Sequence, residues 1–139
     1  MSRYDQMLAL ALKQKERKPP SEEEHQLQCA CVEWFSYQYP QMRHNLFAVP
    51  NGGKRSRATA GKLKAEGVLS GVADMIFLKK SGDYGALLIE FKTAKGNQTL
   101  AQKEWERKIT ADGYKYVIVR SLEQFINVIK EYLYGEKRT

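Results

Sequence analysis

The alternation of apolar and polar positions divides this chain into regular elements. Residues 2–17 carry Tyr4, Met7, Leu8, Leu10, Ala11 and Leu12 at helical spacing, and "KPP" ends the run. Ser21 and Glu24 form a capping-box pattern at the head of a second helix, which continues to Pro40. "NLFAV" predicts a short strand, "PNGGKRSR" a basic loop, and "ATAGKLKAE" a helix stopped by Gly67. "VADMIFLKK" and "ALLIEFK", joined by the turn "SGDYG", predict an antiparallel hairpin. "TLAQKEWERKITAD", ended by Gly113, reads as a helix, "KYVIVR" as a strand and "LEQFINVIKEYLY", capped by Ser121 and Gln124, as a closing amphipathic helix. The strand–helix–strand passage from "ALLIEFK" to "KYVIVR" suits a parallel crossover. The pattern therefore predicts an α/β fold, a mixed sheet flanked by helices.

One strand breaks its own rule. In "LLIEFK", Leu87, Ile89 and Phe91 share one face, so Leu88, Glu90 and Lys92 share the other. A strand covered on both faces should be apolar throughout, and a lone charge buried there costs several kcal/mol or shifts its pKa. The preceding strand opens on Asp74, a residue type that competes with ladder hydrogen bonds. Pairing the two strands brings Asp74 close to Glu90, and two neighbouring carboxylates repel unless a cation lies between them. A hard divalent ion meets that need, since Mg²⁺ commonly takes one or two carboxylates plus water. An internal salt bridge, or a strand end reaching water, accounts for the same residues without a metal.

Composition narrows the setting. The 139 residues, 42% of them hydrophobic, fit one domain with a true core. No apolar run is long enough to span a membrane, and the N-terminus lacks a secretory pattern, so a cytoplasmic protein is expected. Cys29 and Cys31 lie two apart on a helix, where they cannot easily bridge, and read as small hydrophobes. The formal charge of +7 favours polyanions, nucleic acid above all.

Asp74, fifteen intervening residues and Glu90-Phe91-Lys92 match the D-x(n)-E-x-K signature of the PD-(D/E)xK nucleases. The ordered series "EHQLQCACVEWF", "LFAVPNGGKRS", "KLKAEGVLSGVADMIFL", "ALLIEFK", "AQKEW" and "GYKYVIV" resembles the VRR-NUC branch of that superfamily, particularly its small stand-alone phage-type members. The resemblance covers about residues 21–133 of a single domain spanning 1–139. One departure is Ala73, where the superfamily often has proline. The resemblance implies a restriction-endonuclease-like mixed sheet and a Mg²⁺-dependent endonuclease acting on DNA, with Mn²⁺ as a substitute. It assigns the metal to Asp74, Glu90 and the Phe91 carbonyl, and the cationic role at the phosphate to Lys92. It adds Gln102 and an acid of the first helix, for which Glu24 is favoured although a capping box alone would also place an acid there. It further implies branched DNA such as a four-way junction as substrate, a homodimer, and a phage or bacterial host cell.

Asn51, Gly52, Gly53, Lys54, Arg55, Arg57, Lys62 and Lys64 gather glycine and cations into one stretch, a candidate clamp on the DNA backbone. A non-catalytic DNA-binding module built on residues 51–64 is the alternative, and the acid–acid–lysine set is what such a module would not need. Gly71 reads as an opening for substrate beside Asp74 or as a plain turn. Trp105 and Tyr114 read as core.

Overall fold

The structure, a computed structural model, describes residues 22–50 and 56–135 together with Ser2, Arg3 and Gln6. Apart from those three positions, the expected helix over 2–17 lies outside the described residues, as do the Ser21 cap and loop residues Asn51, Gly52, Gly53, Lys54 and Arg55. The elements are α1 (Glu22–Gln38), β1 (Leu46–Ala48), α2 (Arg57–Ala65), β2 (Met75–Phe77), β3 (Leu87–Phe91), α3 (Leu100–Ala111), β4 (Lys115–Val119) and α4 (Leu122–Tyr134). They form one four-stranded sheet in the order β1-β2-β3-β4. β1 and β3 each pair antiparallel with β2, and β4 pairs parallel with β3, as the hairpin and crossover patterns predict.

The two faces of β3 separate two clusters. Leu87, Ile89 and Phe91 enter the larger, with Cys31 and Phe35 of α1 and Phe125 and Ile129 of α4. Aromatic rings interlock there: Phe35 meets Phe77 edge-on at 5.4 Å and Phe91 lies 6.3 Å from Phe125. Leu88 joins Ala73 and Ala86 on the opposite face, under Trp105 and Ile109 of α3 and Tyr116 of β4. Every residue of β3 is buried, so Glu90 stands inside this second layer. Burial pushes the Cys31 thiol up to about 12, in keeping with an inert hydrophobe.

Several boundaries differ from the pattern, each for a local reason. A 3-10 turn over Pro40–Asn45 intervenes before β1. β2 begins only at Met75 because Asp74 interrupts its ladder with β3: the Asp74 Oδ2 accepts the Phe91 N–H at 2.7 Å, where a backbone carbonyl would otherwise pair. Ser121 Oγ caps α4 through the Gln124 N–H, but the Gln124 side chain accepts from Arg120 N rather than closing a box on Ser121. Tyr114, expected in the core, is 40% exposed and lies over Gly85, whereas Trp105 packs inward against Tyr116.

Gly71 makes room for the helix beside it. It adopts φ +86°, and a Cβ there would stand 2.6 Å from the Ala101 carbonyl oxygen. Both the backbone conformation and the contact with α3 demand glycine. Gly71→Ala should destabilise the fold by roughly 2 kcal/mol. Thermal melting checks this, and an unchanged Tm would refute the close approach of the 68–71 turn to α3.

Candidate metal centre

Four elements deliver the polar groups of the second layer. Asp74 sits at the threshold of β2, its carboxylate fixed by the Phe91 N–H. Its backbone carbonyl accepts from Val49 N at 2.7 Å, so both its side chain and its main chain are tied into the sheet. Glu90, on the central strand, is 1% exposed. Its Oε2 accepts from Gln102 Nε2 at 2.6 Å, and its Oε1 accepts from the Tyr116 hydroxyl at 3.2 Å. Lys92 Nζ stands 3.7 Å from Glu90 Oε2, with 12% of its side chain exposed. The strand alternation thus sets Glu90 and Lys92 on the face predicted, with Phe91 anchored by its ring on the other.

Gln102 is held at both ends. Its Oε1 accepts from Thr99 N at 2.8 Å while Thr99 Oγ1 accepts from Gln102 N at 3.1 Å, a capping box opening α3. The amide nitrogen is then left to face Glu90. The T-x-x-Q signature of residues 99–102 was present in the sequence, though the helical pattern alone did not draw attention to it. Tyr116 is a site neighbour that sequence reasoning missed. It pairs with Leu88 in the parallel register, so it shares the face of Glu90. Burial, then the Glu90 charge, raises its phenol above the ordinary tyrosine range and keeps it a proton donor.

The electrostatics of the cluster are unbalanced toward negative charge. Burial first, and the Asp74 carboxylate second, push the Glu90 pKa up to about 8, with Lys92 and the Tyr116 hydrogen bond opposing. Asp74 is also raised, chiefly by burial and further by Glu24, against the pull of the Phe91 N–H and Lys92. Glu24, half-buried in the first turn of α1, therefore bears on both carboxylates. Among the described residues no three acidic, histidine or cysteine side chains form a group fit to hold an ion. Asp74 and Glu90 offer carboxylate oxygens as donors. Oxygen donors with water completing the shell suit Mg²⁺ or Mn²⁺, and the absence of nearby histidine or thiolate among these donors does not suit zinc.

The basic residues divide. Arg57, Lys62 and Lys64, read as part of a basic loop-to-helix stretch, all lie on α2 and are exposed. Ser56 caps this helix, accepting from Thr59 N at 3.1 Å. None of its residues is fully buried, and only Leu63 is half-buried. No helix among the described residues is long and apolar enough to cross a membrane.

The raised Glu90 pKa has a consequence for stability. An acid whose folded pKa is about 8 against an ordinary 4.5 keeps its proton in the folded state longer than in the unfolded chain. The associated stability is fully present below about pH 4.5 and is lost as pH rises through 8. Glu90→Gln should flatten this loss and raise the Tm of the metal-free protein at pH 9 by about 3 °C or more. Melting curves from pH 5 to 9 measure it, and an equally steep fall in the variant would rule out Glu90 as the cause.

No family model matches the sequence, and neither does any curated protein. Among solved structures the chain is similar to a VRR_NUC domain protein, with 27% sequence identity and a TM-score of 0.68. The likeness covers 78% of this chain and 86% of the other. The mixed four-stranded sheet with flanking helices of this chain thus matches the fold of that VRR_NUC domain protein.

Proposed function

We propose that this chain is a metal-dependent endonuclease that hydrolyses phosphodiester bonds of DNA. The observation that carries the reading is the pair of carboxylates, buried Glu90 and half-buried Asp74, raised in pKa beside the ammonium of Lys92. The similarity to a VRR_NUC domain protein supports it. Asp74 and Glu90 would hold the cation, Mg²⁺ or Mn²⁺, with the Phe91 carbonyl as a further ligand. When bound, the ion supplies Lewis-acid polarisation of the phosphate and of the attacking water.

The remaining work falls to the chain. Burial of Glu90 keeps solvent from screening the charges around it. Lys92, at the partly open edge, offers a fixed positive charge where negative charge develops on the phosphate. Gln102 holds Glu90 through its amide, and Glu24 adds negative potential that favours cation entry. Arg57, Lys62 and Lys64 give α2 an exposed basic surface for backbone phosphates, joined by loop residues 51–55 in this reading. The preferred substrate is branched DNA, including the four-way junction, cut by a homodimer whose two-fold axis sets two copies of one site against opposed strands.

Purified protein with Mg²⁺ or Mn²⁺ should cut at least one of supercoiled, flapped and four-way-junction DNA. Lys92→Ala should lower the cutting rate by about 10²-fold or more while leaving the fold intact. DNA bound but never cut, in either metal, would instead establish a non-catalytic binding module. A monomer by light scattering at working concentration would remove the dimeric junction reading. Replacing Arg57, Lys62 and Lys64 together by alanine should weaken DNA binding for all sequences and reduce its salt slope by about one per lost phosphate contact. An unchanged slope would mean that α2 does not meet the backbone.

A further inference from the structure

The two oxygens of Glu90 are held from different directions. Gln102 grips Oε2 from α3, and the Tyr116 hydroxyl grips Oε1 from β4. The second grip has its own support. Gln98 Nε2 donates to Glu106 Oε1 at 2.8 Å and also to the Tyr116 hydroxyl oxygen at 3.4 Å, the longest link.

Donor accounting gives this chain a direction. The Glu106 oxygen accepts from Gln98, which turns the amino end of the Gln98 amide toward it. That end has two hydrogens, one for Glu106 and one for Tyr116. A tyrosine hydroxyl has a single hydrogen, and an oxygen already supplied by Gln98 is free to spend it on Glu90. Trp105 packs against the phenol in a T-shaped arrangement, ring centroids 6.1 Å apart, and confines it within the same layer. Polarity thus runs from Glu106 through Gln98 and Tyr116 to Glu90, across three elements of the fold. Ligating carboxylates depend on such outer hydrogen bonds for their orientation and basicity.

We propose that Tyr116, oriented by Gln98 and Glu106, is a positioning residue that fixes the Glu90 carboxylate for a divalent cation shared with Asp74. The inference rests on the metal-dependent reading above and adds the residues that set its geometry. It differs from a purely structural role in what it predicts. A hydroxyl that only satisfies a buried oxygen would, when removed, lower Tm and leave the metal affinity of the folded protein unchanged.

Calorimetric titration of Mn²⁺ into the full chain separates these roles. Tyr116→Phe should weaken Mn²⁺ binding by about 10-fold to 100-fold. The Mn²⁺ concentration for half-maximal cutting should rise in parallel, with kcat recovered at saturating Mn²⁺. Glu106→Ala, remote from the carboxylates, should shift the affinity in the same direction by less, and Glu106→Gln, which still accepts from Gln98, should restore it. Affinity of Tyr116→Phe within about twofold of wild type, far short of the outer-layer effect, would overturn the proposal. Should Tyr116→Phe fail to fold, Gln98→Ala and Glu106→Ala leave the phenol in place, and unchanged affinity in both would overturn it equally. Wild-type protein that binds no Mn²⁺ would remove the metal-dependent reading itself, a result distinct from normal wild-type binding with an indifferent Tyr116→Phe.

Discussion

A carboxylate buried in the middle of a sheet constrains everything around it. Glu90 occupies a strand in which all five residues are buried, and desolvation alone would neutralise or expel it. The fold answers with a donor on each oxygen and an ammonium nearby, yet it also places Asp74 where it repels. Packing alone would not retain such a cluster, because an apolar residue would fill the same space at lower cost. The fold gives up stability at this point, because burial disfavours the charged form of Glu90.

What makes that sacrifice tolerable lies on the opposite face of the same strand. Leu87, Ile89 and Phe91 are locked among the rings of Phe35, Phe77 and Phe125, so the β3 backbone is fixed from behind. Phe91 joins the two functions in one residue. Its ring is core, while its N–H holds Asp74 in position beside Glu90. A cluster whose carboxylates come from one rigid strand and its neighbour does not need to be assembled by loop closure.

The parts of this arrangement legible in the sequence were those that violated a pattern. Glu90 and Lys92 stood out because the period of two put charges on a face that should be apolar, and Asp74 because it opens an apolar strand. Periodicity also gave the helices and the parallel crossover, since these depend on local spacing. The strand limits were harder, because a side-chain acceptor at Asp74 shortens β2 in a way that no propensity records. Tyr116 stayed hidden for the opposite reason: a tyrosine in a strand offends no rule, and only the register with Leu88 brings its hydroxyl to Glu90. The standing of α2 was equally silent, since a helix with one half-buried leucine differs little in pattern from one packed on the core.

Gln102 ties the start of a helix to this buried centre. As a capping residue its position would accept glutamic acid as readily as glutamine, because either side chain can reach back to Thr99 N. As the neighbour of Glu90 it accepts only one of them, since a carboxylate at the same place would bring a third negative charge within hydrogen-bond distance of Oε2. Asparagine would be a methylene too short to serve both ends. A first-turn position that local helix rules leave open to exchange is thereby closed to it, and the freedom of α3 to drift in sequence ends where its amide meets the sheet.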